Sequence, residues 1–468
     1  MNLDDVLQLS GKEDYAKNMA DVQKVLCRMD SDKEERRDKA IEQHDELKHK
    51  ILERPDKEVG SGTNKKTVPT AKLIIPVQNK IVEMAVAFLF GTPVKLSLQQ
   101  FEKSQDESFK LLKQIWKKNK LDYHNKELAR RVFVETRAAE LFYIVVNPLT
   151  KEKRVRTMLL CQKNGDEIFP TFDSYGDMVA FTRRYKTLNS AGKEVTNVDI
   201  YYADKTVKAV QDGEEWEVEI EKSLLGKIPV IYYEQEKSEW NDVQSLIDRQ
   251  ETLISRNADT NDYFGSPSVK VKGNLVKGPD KDEIGKLFRL QGERNGDKME
   301  YGDVEYMTWD RTPESIKLEY EVLKDTIYSS TSTPDLSFNN VKGTSNLSGI
   351  ALKFMFMDAV LKSLNKQEIF GDGLDRRLNL LKAMMALMNV GGKESVMAME
   401  IDVEFKDAMP ENLIETIEML SNAVGGKPIM STKTAVKINP MVKDSDAEII
   451  ELETEGKAEN SILDSYPA

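Results

Sequence analysis

Apolar residues recur at Ile350, Phe354, Met357, Leu361 and Leu364, and again at Leu374, Leu378, Leu381, Met385 and Met388, each run marking one face of an α-helix. Between them Gln367, Glu368, Gly371 and Gly373 break the stripe, and paired glycines loosen a backbone, so the pattern predicts a bend near Phe370 to Gly373. The approach to this element, from Thr333 through Pro334, Asn339, Asn340, Lys342 and Gly343 to Asn346, is rich in turn formers and reads as a loop, with Asn346 placed to cap the helix. A helical pattern some forty residues long spans on the order of 60 Å. That exceeds the core of one compact domain, so the element is expected to be shared between parts or subunits.

Up to Leu52 the chain carries two charged helical patterns, the second from Ser31 to Ile51, and Arg54 to Thr70 reads as a flexible polar loop around Gly60-Ser61-Gly62. Leu73 to Phe90 predicts a buried helix stopped at Gly91-Thr92-Pro93, and a helix pair follows at Glu107 to Asn119 and Tyr123 to Arg137. Strand patterning then takes over at residues 141–146, 178–185, 199–202, 215–220 and 229–233. Turn signals at Asn164-Gly165, Tyr175-Gly176-Asp177 and Asp212-Gly213 join these into an antiparallel meander. Helices at Glu239 to Phe264 and Pro313 to Ser330 bracket a strand-rich insert from Ser268 to Trp309, which should project from the end of a helical hairpin. Met399 to Phe405 alternates as a strand returning to an earlier sheet, and Pro410 to Glu455 reads as short helices ahead of an acidic tail. The fold class is α+β.

At 468 residues the chain should fold as two or more parts. Cys27 and Cys161 are expected to be free structural thiols. No signal pattern opens the chain, and the longest apolar run, Met84 to Phe90, is far short of the roughly 20 residues that span a bilayer, so a soluble protein without membrane partners is expected. A net charge of −12 argues against tight wrapping of nucleic acid but leaves room for a channel that DNA passes without sticking.

Catalytic signatures are missing. Gly226-Lys227, Gly392-Lys393 and the other Gly-Lys pairs lack the Ser or Thr of a phosphate-binding loop, so an ATP-driven motor would be a separate protein. His44, His49 and His124 have no zinc spacing and read as solvated helix residues. Trp216, Tyr232 and Tyr233 read as strand packing, and no carboxylate cluster singles out a nuclease. No enzyme activity, cofactor or metal is expected.

The chain resembles the portal proteins of tailed bacteriophages, in the branch typified by the Bacillus phage portal. The likeness is carried by Lys80 to Val94, Ile115 to Asp122, Leu225 to Val230, Ser245 to Asp248, Ser255 to Ala258, Ser348 to Lys353 and Ile429 to Thr434, in the family's order. It implies a portal fold: residues 1–236 as wing, 237–264 as stem helix, 265–312 as clip and 313–330 as second stem helix. Residues 331–347 would be the tunnel loop, 348–411 the kinked wing helix and returning strand, and 412–468 the crown and acidic tail.

The resemblance implies a homo-oligomeric ring of about twelve subunits, thirteen in some recombinant rings, at one capsid vertex of the virion, assembled in the host cytoplasm. Implied partners are the terminase large subunit, head completion or adaptor proteins, scaffold and major capsid protein, with double-stranded DNA passing non-specifically. In the tunnel loop Asn339, Asn340, Lys342, Thr344 and Ser345 would face DNA, Lys342 being the only cation between Asp325 and Lys353. In the clip Lys277, Lys281, Asp282, Glu283, Lys286, Arg289 and Glu293 would meet partners. The competing readings are a phage-encoded metal-dependent nuclease and a head-tail adaptor.

Overall fold

The computed structural model describes residues 1–28, 30–59, 65–99, 103–265, 269–272, 274–277, 289–295, 298–300, 303–306, 313–336, 354–406, 413–425, 427–442 and 445–463. Two units divide the chain, one of residues 1–335 with 358–406 and one of 336–357 with 407–468.

The first unit opens with three helices rather than the expected two, α1 (Leu3–Gln8), α2 (Lys12–Leu26) and α3 (Ser31–His44). The third stops short of Ile51 because Asp45 turns extended and its carboxylate accepts from the Leu47 amide at 3.0 Å, a local turn that competes with the helix. The presumed flexible loop holds an antiparallel hairpin, β1 (Lys57–Val59) with β2 (Lys66–Val68). Then come α4 (Val77–Phe90), β3 (Lys95–Gln99), α5 (Lys103–Lys118) and α6 (Leu121–Glu135).

Eight strands follow: β4 (Arg137–Val146), β5 (Lys153–Leu160), β6 (Glu167–Phe172), β7 (Met178–Leu188), β8 (Glu194–Tyr201), β9 (Lys205–Asp212), β10 (Glu215–Lys222) and β11 (Val230–Glu234). They form an antiparallel meander ordered β10-β9-β8-β7-β6 and a three-stranded sheet ordered β11-β4-β5. Sequence reading missed β5, β6 and β9. Pro170 disguises β6, yet β6 is an edge strand, where a missing N–H costs no ladder bond. The alternation of β9 is carried only by the small Val207 and Ala209, both buried.

The unit continues through α7 (Gln244–Gly265), three short strand pairs, α8 (Pro313–Ser330), α9 (Met357–Met388, its first residue in the other unit), α10 (Lys393–Met397) and β18 (Glu400–Glu404). Strand β18 pairs antiparallel with β3, Glu400 opposite Gln99 and Glu404 opposite Lys95, in a ribbon of its own rather than joining a larger sheet. In the second unit α11 (Leu413–Val424) and α12 (Thr432–Ile438) are the expected short helices, while α13 (Ser445–Leu463) is a longer one that takes in the expected acidic tail; Ser431 caps α12, and Lys433 meets Glu453 of α13 at 2.8 Å.

The largest apolar core is built by α4, α6, β4 and the second half of α9, including Ile81, Leu89, Phe133, Phe142, Leu374 and Leu381. A second core forms where Tyr15, Met19, Val22 and Leu26 of α2 cover Val198, Ile200 and Val207 of the meander. Cys27 and Cys161 are free thiols, both pushed up in pKa, Cys27 to about 11 and Cys161 to about 12, mainly by burial.

At the centre of the large core lies a charged group. Glu140 of β4 accepts from Arg377 Nε of α9 at 2.9 Å, from the Tyr233 hydroxyl of β11 at 2.7 Å, and lies 3.1 Å from His124 Nε2 of α6. Arg377 also donates to Asn125 at 2.6 Å and stands 5.2 Å from the Trp116 ring centre. Four elements thus meet on one carboxylate. Burial pushes Glu140 up, but Arg377 and His124 outweigh it and hold the carboxyl at about 2.

Helix α9 is continuous through Phe370 to Gly373, the stretch where the glycines suggest a bend. Gly373 has a packing reason: a Cβ there would lie 2.0 Å from Cε1 of Tyr233, whose ring rests on the helix backbone and carries its hydroxyl to Glu140.

Removing one member of a buried pair strands the other charge, so Glu140→Gln should cost about 3–5 kcal/mol in urea unfolding. Because Glu140 is held below its ordinary 4.5, its contribution is present above that pH and lost as pH falls toward 2. The stability difference between wild type and Glu140→Gln should therefore shrink on acidification, measured as denaturation midpoint against pH.

Candidate functional site

Asn339, Asn340, Lys342, Thr344 and Ser345 lie outside the described residues, as do Lys281, Asp282, Glu283 and Lys286. The backbone of the other insert residues is described. Lys277 ends β13 (Asn274–Lys277) directly opposite Arg289 of β14 (Arg289–Gln291), and Glu293 begins β15 (Glu293–Asn295) opposite Glu300 of β16 (Lys298–Glu300). With β12 (Val269–Lys272) against β17 (Asp303–Tyr306), the insert between α7 and α8 is a set of antiparallel pairs, as the sequence pattern required.

The supports around the predicted loop are described in detail. After α8, Ser332 takes a left-handed conformation, φ 52°, and the turn closes as the Thr333 amide donates to Tyr328 O at 2.9 Å. The Thr331 hydroxyl donates to Ile327 O at 2.8 Å, and Lys362 Nζ of α9 donates to Thr331 O at 2.9 Å. Asp335 is paired with Lys324 and lies 3.7 Å from Lys80 Nζ, which also reaches the Tyr328 hydroxyl at 3.0 Å.

On α9, Lys362 and Lys366 both pair with the buried Glu239, each at 2.6 Å. Burial pushes Glu239 up, but the two ammonium groups outweigh it and hold the carboxylate below its ordinary range. The turn after α8 is thereby linked to one carboxylate just ahead of α7, because Lys362 reaches Thr331 O and Glu239 together. Sequence reading missed this lock. Two lysines four apart look like any solvated helix face, and only the burial of Glu239 marks them.

A second arrangement was equally hidden. The extended segment before α4 lies antiparallel along α7 with alternate amides bonded to its side chains: Ala71 N to Asp259 at 2.6 Å, Leu73 N to Ser255 at 2.9 Å and Ile75 N to Glu251 at 2.9 Å. Two extended residues advance about 6.6 Å and four helical residues about 6 Å, so the registers match. Arg54 also reaches Asp259 at 2.5 Å, and His49 Nδ1 donates to Glu251 at 2.7 Å.

The histidines therefore correct the expectation of solvated positions. His49 is buried on Glu251, His124 reaches the buried Glu140, and His44 packs 5.5 Å from Trp240 with burial pushing its pKa down. The aromatic residues behave as read from sequence: Tyr233 is buried, and Tyr232 and Trp216 pack against apolar cores. Among the described residues no three His, Cys, Asp or Glu side chains gather as a metal would require, and no helix is long and apolar enough to cross a membrane.

A family model, "Phage portal protein, SPP1 Gp6-like", matches residues 28–461. Helices α1 and α2 fall outside that span, although α2 completes the second core. Among solved structures, a chain from the neck of a native GTA particle computed with C12 symmetry is similar at TM-score 0.42 and 10% identity, covering 78% of this chain and 88% of that one. A chain from the neck of an empty GTA particle computed with C6 symmetry gives 0.38 and 12%, covering 76% and 86%. One from the virion of a native gene transfer agent particle gives 0.37 and 10%, covering 76% and 87%. No curated protein sequence matches.

Replacing Glu239 by Gln removes the charge that both lysines need. Hydrogen exchange at Thr331 to Thr333 and across Lys362 to Lys366 should rise at least tenfold, while exchange in the meander stays unchanged; equal protection in both proteins would refute the lock.

Proposed function

The chain belongs to the SPP1 Gp6-like phage portal protein family, and from that premise we propose that it works as a closed ring at one capsid vertex through which double-stranded DNA is packaged and released.

One observation carries the ring. Along α9 the inward face is continuous, from Ala359, Ser363 and Lys366 to Phe370, Leu374 and Leu381. In the first half this inward face is small and polar, while Met357, Leu361 and Leu364 face outward, Leu361 at 51% and Leu364 at 48% exposure. The outward stripe lies about 140° round the helix from the buried one. A chain that hides lysines and shows leucines has its apolar face turned toward another surface, and in a ring the next subunit supplies it.

In this reading residues 1–236 form the wing and 237–264 with 313–330 the stem. Residues 265–312 form a clip that meets terminase and head completion proteins, 331–347 a tunnel loop, 348–411 the kinked wing helix and returning strand, and 412–468 the crown and acidic tail. The work is mechanical. A lumen that is largely acidic or neutral repels phosphates so that the duplex slides, while Lys342, repeated round the ring, gives a screened contact that breaks easily. Asn339, Asn340, Thr344 and Ser345 can donate hydrogen bonds to phosphate beside it. The insert residues Lys277, Lys281, Asp282, Glu283, Lys286, Arg289 and Glu293 present charge to the clip's partners.

Purified protein should appear by negative stain and native mass spectrometry as closed rings of about twelve or thirteen copies. A monodisperse monomer at micromolar concentration in near-physiological salt would overturn the ring.

Lys342→Glu should leave assembly intact but lower the amount of DNA packaged or retained, with a defect that changes with salt. Normal packaging across salt conditions would remove Lys342 from the mechanism and leave the ring standing.

A further inference from the structure

Strand β18 has a paired neighbour on one side only, β3, and beside it a groove of about 540 Å³ opens against α9. Its walls are acidic. Asp375, Glu400 and Asp402 line it, with Lys382 as the one cation among the lining residues. Lys382 is already engaged, donating to Met399 O at 2.9 Å, and among the described residues Asp402 accepts from the neutral Gln99 amide alone, at 2.9 Å. Asp375 has no cation partner among the described residues, and burial, Asp372 and Asp402 together push its carboxyl up. The groove carries more negative charge than its own chain neutralises.

The opposite chemistry projects elsewhere on the same unit. The outer half of the β4–β5 hairpin sets Tyr143 opposite Arg156, Val145 opposite Arg154 and Val146 opposite Lys153. Tyr143, Val145, Val146 and the turn residue Leu149 are exposed, with side chains apolar enough to be buried in a partner. Arg154 meets Glu152 at 2.6 Å, while Arg156 and Lys153 have no acidic partner among the described residues. The result is a basic edge strand with an apolar tip.

Helix α9 fixes the relation between the two. Asp375, Asn379 and Lys382 look into the groove, while Arg377 reaches β4, and Met388 lies beside the hairpin's basic strand. At about 100° per residue these sets lie on roughly opposite sides of the helix. Two complementary surfaces on opposite sides of one subunit cannot meet within a chain, but they join head to tail between copies, and such heterologous contacts close into rings.

We propose that the basic β4–β5 hairpin of one copy seats in the acidic groove between β18 and α9 of the next. The inference rests on the ring reading above and names its contact. Arg154 and Arg156 meet Asp375, Glu400 and Asp402, the apolar tip covers the groove floor, and the exposed edge of β18 gains a neighbour that protects it from non-specific pairing.

Charge exchange tests it. In native mass spectrometry at low micromolar protein, Arg154→Glu with Arg156→Glu, and separately Glu400→Lys with Asp402→Lys, should each shift the main species from ring to monomer or short open chains. Mixing the two variants should restore closed rings in which the proteins alternate, since each hairpin then meets a groove of opposite charge. If both variants alone still form wild-type rings, or if both fall apart with native circular dichroism and the mixture stays dissociated, the contact is wrong. Should a reversal unfold its own chain, the neutral pair Arg154→Gln with Arg156→Gln replaces it. That pair should lower ring stability to salt at least tenfold in dissociation constant, and an unchanged salt profile would overturn the proposal. A wild type that forms no ring would instead sink the ring reading itself.

Discussion

The pairing of Glu140 with Arg377 is the constraint on which the large core turns. Both side chains are fully buried, and a buried charge is tolerable only where its partner and its remaining hydrogen-bonding groups are held in place. That requirement fixes β4 against α9, draws in α6 through Asn125 and His124, and seats β11 through Tyr233. It also explains Gly373, since the Tyr233 ring can bring its hydroxyl to Glu140 only by lying on bare helix backbone. Packing of apolar groups alone would tolerate a range of crossings between helix and sheet; the directional bonds of these polar atoms narrow it.

Much of the architecture was legible because periodicity reports burial. Helix α8, Pro313–Ser330, has the bounds its pattern gave, and the meander follows its turn signals. What stayed hidden obeys a common physical rule: polar groups whose partners are distant in sequence carry no periodic signal. Arg377 and Glu140 are separated by 237 positions, and His49 and Glu251 by 202, so each looked like an ordinary surface residue. Strand β9 is hidden for a related reason, as its buried Val207 and Ala209 give too faint an alternation to register. Gly373 of α9 admits the Tyr233 ring, a role the sequence hides, because a missing side chain looks the same there whether it frees a backbone or makes room for a neighbour.

Family membership and the fold bear on each other at α9. Its second half is held by core contacts within the unit, whereas its first half is fastened by Lys362, Ser363 and Lys366 and offers Met357, Leu361 and Leu364 outward. One helix thus serves two purposes in succession, and the change falls where the apolar stripe shifts round the axis. The turn that follows α8 is held to this polar half by the Lys362 bond to Thr331 and by the pairing of Asp335 with Lys324.

The alternating bonds between residues 71–75 and α7 carry a mechanical consequence. Because three amides bind three turns of the helix in register, a force directed along the helix axis loads all of the bonds at once, in shear, and none can fail singly. A force lifting the segment from one end would instead break them one after another. Longitudinal thrust on α7 would thus meet a stiff joint and lateral peeling a compliant one, which makes the attachment directional in a way that a purely apolar contact, sliding equally in any direction, would not be.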